Sequence, residues 1–273
     1  MIQISIERGV DYMNEVNRTL FIPLYGKSLV SKQNIILNDS TAEKIWEAES
    51  FPIHGKAKSK WLAYNMAMRA RVFDDWTESM LEKNKDALVL HIGCGLDCRC
   101  KRVKQQYRRW IDCDFSDVIS IRRKYFKESE NYQMMALDAS VPEQIKELPE
   151  SETVIVVLEG ISMYLTNEQL REFFKALQEK YKELHILMDI YTEFGAKASK
   201  YKNPVNDVGV TKLYGRDNVE CFIGDLRIYF KKEHSFTPMK LVDELKSFDR
   251  RIFKMMFTGR LYGKIYRLLE LSS

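Results

Sequence analysis

No run of about 18 apolar residues occurs anywhere in the chain, so no membrane-spanning helix is expected. A basic-then-apolar leader is missing too, because Glu7, Arg8 and Asp11 interrupt the N-terminus. The expectation is a soluble cytoplasmic protein. Charge of one sign is scarce in excess: 43 Lys and Arg against 39 Asp and Glu leave +4, too little to argue for nucleic acid. The late basic residues, from Arg250-Arg251 through Arg267, read as a solvated face rather than a binding patch. Cysteines number five, an odd count in a chain without a leader, which argues against a disulfide framework. Four of them, Cys94, Cys98, Cys100 and Cys113, fall within twenty residues. Their C-x3-C-x-C spacing matches neither a zinc pattern nor the C-x3-C-x2-C of a radical cluster, so no metal is expected and they read as small packing residues. Repeats and low-complexity tracts are absent.

What the chain has is apolar material, 45% of 273 residues, enough for one large or two small domains. It is organised around Asp86–Arg99, DALVLHIGCGLDCR. Ala87 to Ile92 has the length and branching of a buried strand. Gly93-Cys94-Gly95 then forces a sharp turn, and two missing Cβ atoms let a flat ligand lie against the backbone. Strand, glycine turn and helix start together make a nucleotide or nucleoside cradle. The third glycine of a dinucleotide fingerprint is replaced by Cys98, and no Lys-Ser/Thr pair follows to form a P-loop.

Further strand ends carry acids. Arg108–Cys113 leads into Asp114, 21 residues after Gly93, with Phe115 next. Tyr132–Leu137 leads into Asp138 and Ala139, and Thr153–Leu158 into Glu159-Gly160. In an open parallel sheet the ligand lies beyond the carboxyl ends of the strands. Asp114 is placed to accept both hydroxyls of a ribose; a turn or N-cap aspartate explains the same spacing. Three acids beside a glycine turn suit a ligand with a ribose, an adenine amine and a positive centre, and S-adenosylmethionine has all three.

Residues 1–86 read as a helical N-terminal cap or lid, and 87–273 as one α/β core. Asp39-Ser40 is set to cap a helix through Ile45 and Trp46. Over Lys56–Lys83 a helix carries an apolar stripe, Leu62, Met66, Val72, Phe73, Trp76 and Met80. Arg69 lies inside that stripe and needs a partner, unless it snorkels at the edge. Arg71 falls on the other side, within reach of Asp75. Strands are expected near 87–92, 108–113, 132–137, 153–158 and 185–190, alternating with helices. The helix 167–181 opens on a capping box, Thr166 with Gln169. Residues 192–226, punctuated by Gly195, Pro204, Gly209, Gly215 and Gly224, read as interrupted helix and loop. Leu226–Glu233 reads as a strand and Pro238–Met256 as one or two helices. Gly263–Leu271 is ambiguous by period.

HIGCGLDCR, WIDCDFSDVISIRRKYF and LEGISMYLTNEQL, with TLFIPLYGKSL and MRARVFDDW upstream, resemble the class I methyltransferases of the leucine carboxyl methyltransferase group. The bacterial branch, similar to tetracenomycin polyketide O-methyltransferases, is the nearer match. The likeness covers most of residues 18 to 195. Cys98 departs from it, standing where that group usually has threonine, and Asp138-Ala139-Ser140 fits its adenine-side acid loosely. The resemblance implies a Rossmann-like α/β fold, with a mostly parallel seven-stranded sheet, helices on both faces and a final antiparallel strand. It implies S-adenosylmethionine as cofactor and S-adenosylhomocysteine as product. Arg69 would hold the methionine carboxylate. Gly93, Cys94, Gly95, Asp114, Phe115, Asp138, Ala139, Glu159 and Gly160 would complete the cofactor site.

Methyl transfer is an in-line displacement that depends on orientation. A carboxylate nucleophile is already ionised at neutral pH, whereas a hydroxyl benefits from a base. Of the histidines, His91 reads as packed inside a strand, His185 and His234 sit at strand ends, and His54 lies in a loop of the cap. Tyr164 and Asp189 are the better candidates for substrate contacts; for Tyr164 a core tyrosine with a satisfied hydroxyl is the alternative. The leading expectation is an O-methyltransferase acting on a hydroxyl or carboxylate of a small molecule. A protein C-terminal carboxyl methyltransferase would instead need a deep, positively lined pocket. A NAD-dependent oxidoreductase is disfavoured by Cys98 and the lack of a phosphate site. A binding protein without catalysis shares the same cradle.

Overall fold

Asp39 accepts a hydrogen bond from the Ala42 N–H at 2.8 Å and starts a helix where the Asp-Ser pair predicts one. The computed structural model describes residues 19–49, 51, 53, 55–202 and 212–273. His54, Pro204 and Gly209 lie outside the described residues, as does the stretch 1–18. Among the described residues three helices precede the sheet: α1 (Phe21–Lys32), α2 (Ser40–Ala48) and α3 (Lys60–Lys83). The long helix starts four residues later than its apolar stripe predicts. Gly55–Lys58 is a 3-10 turn, and Ser59 is extended at φ −65°, ψ 129°, which breaks the helix there.

The chain then alternates: β1 (Leu88–Ile92), α4 (Arg99–Arg102), β2 (Arg109–Asp114), α5 (Ser116–Arg122), β3 (Tyr132–Ala136), β4 (Thr153–Leu158), α6 (Asn167–Lys180), β5 (Glu183–Tyr191), α7 (Glu193–Lys202), α8 (Glu220–Ile223), β6 (Tyr229–His234), α9 (Met239–Val242), α10 (Ser247–Phe257), α11 (Arg260–Gly263) and β7 (Tyr266–Ser272). The seven strands form one sheet in the order β3-β2-β1-β4-β5-β7-β6. The first five run parallel, and β7 lies antiparallel between β5 and β6. This is a doubly wound, Rossmann-like α/β fold whose order reverses between β1 and β4.

Period-two alternation assigns the strand residues to two cores. Leu88, Leu90 and Ile92 of β1 join Val154, Val156 and Leu158 of β4 under α6. Val89 and Ile155 face the opposite side, with Phe73, Trp76 and Met80 of α3. The capping box of α6 is formed, with Thr166 Oγ1 accepting the Gln169 N–H at 3.1 Å and Gln169 Oε1 accepting the Thr166 N–H at 2.9 Å. Its apolar face, Leu170, Phe173, Phe174 and Leu177, is buried. The predicted strand from Leu226 begins only at Tyr229, because the Arg227 N–H donates to Gln178 Oε1 (2.8 Å) on α6 instead of entering the sheet. Among the described residues no helix is long and apolar enough to cross a membrane.

The register levels the strand ends. Ile92 pairs with Cys113 on one side and Leu158 on the other. The residues that follow, Gly93, Asp114 and Glu159, therefore sit side by side above the sheet.

Candidate functional site

The turn after β1 requires its glycines. Gly93 and Gly95 have φ of 69° and 51°, the left-handed region that side chains with a Cβ rarely enter. A Cβ on Gly93 would stand 2.9 Å from Ile161 Cδ1, and one on Gly95 3.3 Å from Leu20 Cβ on the opposite wall. The Gly95 N–H donates to Asp114 Oδ2 at 2.7 Å and the Phe115 N–H to Oδ1 at 2.8 Å. Asp114 is thus fixed at the tip of β2, and each oxygen keeps a lone pair for a further donor. Burial pushes its carboxyl up to about 6, against the pull of these two N–H bonds.

These groups border a cavity of about 290 Å³. Arg69, Gly93, Cys94, Gly95, Asp114, Phe115, Asp138, Ala139, Glu159 and Gly160 all line it, so the structure brings the ten sequence-derived positions together. Asp138 is held in an Asx turn, its Oδ1 accepting from the Ser140 N–H (2.8 Å) and Oγ (2.7 Å). His91 reaches the same wall. Arg99 Nη1 donates to its Nε2 at 3.0 Å, which leaves the proton on Nδ1, 3.2 Å from Asp112. Burial lowers its pKa, so the ring is neutral.

Beneath the cavity lies a buried ion network. Arg69 Nε donates to Glu159 Oε1 at 2.9 Å, and the other Glu159 oxygen accepts from Arg99 Nη2. Arg99 Nε donates to Asp74 Oδ1 at 2.7 Å. Arg102 joins Asp74 (2.7 Å), Asp97 (2.9 Å) and Asp39 (2.6 Å), and Lys27 donates to Asp97. Burial by itself would raise the Glu159 carboxyl, but Arg69 and then Arg99 outweigh it and hold it at about 2. Sequence reading missed Lys27, Asp74, Asp97, Arg99, Arg102 and Tyr266. The rule that singled out Arg69, a charge inside an apolar helical stretch, applies equally to Lys27 in FIPLYGKSLVSK. The Asp97, Arg99 and Arg102 charges directly after the glycine turn were a second available signal. On α3 the two arginines separate as helical geometry requires: Arg69 is buried, whereas Arg71 is half-exposed and donates to Asp75 at 2.6 Å.

A smaller cavity of about 90 Å³ adjoins the first. Thr19, Pro23, Arg69, Gly160 and Tyr164 line both; Ile22, Leu62, Met66, Met163, Tyr191, Leu213 and Tyr266 line the second alone. Tyr164 reaches Thr19 Oγ1 at 3.4 Å, and burial pushes its hydroxyl up to about 12. It is neutral at pH 7 and can position a substrate but not act as a resting base. Asp189 needs a correction as a substrate contact. It lines neither cavity and is fully buried. Its carboxylate is occupied by the Gly160 N–H (2.7 Å), by Arg69 Nη1 (3.1 Å) and by the Tyr266 hydroxyl. The four clustered cysteines are buried and free, with Cys98 Sγ turned to the Leu96 carbonyl at 3.6 Å.

Comparison with solved structures agrees with this architecture. A Thermobifida fusca YX protein solved as a candidate methyltransferase matches with a TM-score of 0.57 over 92% of this chain and 93% of its own, at 14% identity. A DUF574 family protein from Streptomyces avermitilis MA-4680 gives 0.53 over 78% and 84%, at 13% identity. In sequence, the tetracenomycin polyketide synthesis O-methyltransferase TcmP of Streptomyces glaucescens is 26% identical over 205 residues, 74% of this chain and 76% of the relative. The S-adenosyl-L-methionine-dependent methyltransferase dpfgK of Gibberella zeae is 26% identical over 196 residues, 66% of each. Residues 3–178, well over half of the sequence, match the leucine carboxyl methyltransferase family, and the chain belongs to that family.

Proposed function

We propose that the chain binds S-adenosylmethionine in the larger cavity and methylates an oxygen, hydroxyl or carboxylate, of a small molecule seated in the smaller one. The observation that carries this reading is the donor set around the larger cavity. The glycine turn leaves room for a nucleoside, Asp114 stands level with it to accept ribose hydroxyls, and Asp138 has one oxygen without a hydrogen bond to the described residues, open to an adenine amine. At the other end Glu159 suits an ammonium, and Arg69 with Lys27 suits a carboxylate. Bound there, the cofactor supplies an electrophilic sulfonium methyl. The chain's own part is orientation and exclusion of water: Tyr164 and Thr19 border both cavities, and apolar side chains line most of the acceptor side. The smaller cavity has one cation, Arg69, among its described lining residues, which supports a small, largely apolar acceptor over a protein tail. The name of the Streptomyces relative, an O-methyltransferase of polyketide synthesis, supports the same choice. We also read α1 to α3 as the cap over this site, since Leu20, Leu24 and Lys27 wall the cavity.

Thermal denaturation tests the cofactor. S-adenosylhomocysteine at a hundredfold excess over Kd should stabilise the protein by about 2.7 kcal/mol, and NAD should not; stabilisation by NAD alone would overturn the reading. Arg69→Lys should weaken S-adenosylhomocysteine at least about tenfold, because a single ammonium cannot hold Glu159, Asp189 and Tyr266 and still offer an N–H to a ligand carboxylate. Arg71→Lys should change it less than about twofold. A larger loss from Arg71→Lys in calorimetry would defeat the assignment.

Affinity should also depend on pH through Asp114. Its folded carboxyl titrates near 6, above the ordinary 3.8. In the empty protein, stability tied to this group is therefore lost as pH rises from about 4 to 6. A ligand that requires the ionised form gains over the same window. Affinity for S-adenosylhomocysteine should fall by up to about tenfold per unit as pH drops below 6, and Asp114→Asn should flatten the profile. A flat wild-type profile would show that Asp114 does not accept from the ligand.

A further inference from the structure

Arg69 stands in the wall between the cavities, and its hydrogen bonds are made on the acceptor side as well as the cofactor side. Nη1 donates to Tyr266 Oη at 2.8 Å and to Asp189 Oδ2 at 3.1 Å, while Nε is committed to Glu159. Nη2 makes no hydrogen bond to the described residues; it lies 3.2 Å from the place a Cβ on Gly160 would take. Nε and Nη1 are therefore spent on orientation, and Nη2 is turned to the glycine after β4.

The partners that orient it are themselves rigid. The Tyr266 ring is stacked between Tyr191 (4.6 Å between centroids) and Phe236 (4.5 Å), so its hydroxyl cannot swing away. Tyr191 and Tyr266 face each other in the β5–β7 register, and Asp189 lies two residues before Tyr191 on the same face of β5. The second Asp189 oxygen accepts the Gly160 N–H at 2.7 Å, which ties the backbone turn after Glu159, at φ 74°, to the same carboxylate. The Asp189 main-chain carbonyl accepts from Ser162 Oγ, which pins the strand end to the loop that carries Tyr164. Asp189 touches neither cavity yet holds Arg69 and Gly160, which border both, and Tyr266, which borders the smaller.

We infer that Asp189 and Tyr266 are positioning residues for the cofactor's amino-acid end, fixing the Arg69 guanidinium and the Gly160 turn from the acceptor side of the wall. The inference rests on the larger cavity being the cofactor site. Arginine is long and flexible, so a guanidinium that waits in one orientation binds a carboxylate more tightly than one that must be ordered on binding. Tyr266 lines the acceptor cavity, so a single hydrogen-bonded unit serves both ligands.

Calorimetry on the full chain tests this with two ligands, S-adenosylhomocysteine and 5′-methylthioadenosine, which keeps the adenosine thioether and lacks the amino-acid part. Tyr266→Phe should weaken S-adenosylhomocysteine about tenfold and Asp189→Asn about thirtyfold or more. Methylthioadenosine should stay within about twofold of wild type. In an Arg69→Lys background, Tyr266→Phe should add nothing, because the unit it supports is gone. Where methylthioadenosine is too weak to titrate, that cycle decides on S-adenosylhomocysteine alone. Should Asp189→Asn fail to fold, Tyr266→Phe, which removes one oxygen and keeps the stacked ring, carries the test. Equal losses for both ligands, additive losses in the cycle, or wild-type affinity in both variants would overturn the inference. A wild-type chain that binds no S-adenosylhomocysteine would instead defeat the reading of the cofactor site.

Discussion

Gly95→Val should abolish detectable binding of S-adenosylhomocysteine while the protein stays folded. Position 95 has φ of 51°, where a β-branched residue is strained by about 1–3 kcal/mol. The strain has two ways to relax, and both damage the cavity. If the backbone rotates toward negative φ, the Gly95 N–H turns off Asp114 Oδ2, and the carboxylate loses one of the two bonds that aim it. If the backbone holds, the new Cβ lies 3.3 Å from Leu20 Cβ, and its methyl groups extend into the space between β1 and the start of α1. That space is the cavity itself. Far-ultraviolet circular dichroism should keep its native shape, because the sheet and its two cores lie below the turn. Calorimetry should show affinity lowered by a hundredfold or more, about 2.7 kcal/mol. Normal binding by this variant would show that the turn is not the cradle.

The largest effect on stability is expected at Arg99. This guanidinium is fully buried and serves Asp74, His91 and Glu159 at once, with Asp97 at 3.8 Å. Arg99→Ala removes the cation and leaves those carboxylates in a medium that solvates them poorly. Breaking one side of a buried ion cluster costs about 3–5 kcal/mol, and the melting temperature should fall by about 10 °C. An exposed pair offers the contrast. Arg108 lies 3.9 Å from Asp86 with both side chains in solvent, and Arg108→Ala should cost less than about 1 kcal/mol. The pH dependence identifies the cause. Glu159 is held at about 2, below its ordinary 4.5. The stability this depression contributes is fully present above about 4.5 and is lost as pH falls through about 2. The gap between wild type and Arg99→Ala should therefore narrow as pH drops through that window. A gap that stays constant from pH 7 to pH 3 would point to lost packing rather than lost charge.

In the parallel half of the sheet β1 and β4 were legible because they are largely apolar runs that lead into Gly93 and Glu159. The strand Thr153–Leu158 falls where TVIVVL places it, and the α6 capping box needs only its own four residues to form. The edge was less legible. Leu226 to Ile228 alternate like a strand, but a contact with Gln178 on α6, about fifty residues away, holds them out of the sheet. The positions around the larger cavity could be read because strand order and register place successive strand ends next to each other. The pairing of the charges below them could not. Lys27, Asp74, Arg99 and Arg102 come from three helices, and a charge in an apolar stretch or after a glycine turn signals that a partner exists without saying which. Asp189 shows the opposite error. Its place near the crevice suggested a substrate contact, whereas β7, arriving antiparallel beside it, covers it with Tyr266.

The position of β7 has a consequence for synthesis. Tyr266 follows its partner Arg69 by 197 residues. At about 5–20 residues per second, a ribosome delivers it roughly 10–40 s later. Until then Asp189 has no tyrosine over it, and β6, which among the described residues pairs with β7 alone, has no place in the sheet. The nascent chain therefore presents β5 as a raw edge, hydrogen-bonded on one side, and such an edge recruits strands from other chains. The last strand thus caps two others and closes the polar floor of the site in one event. Substitutions that weaken β7 should show first as aggregation during expression, before any change in the activity of the molecules that do fold.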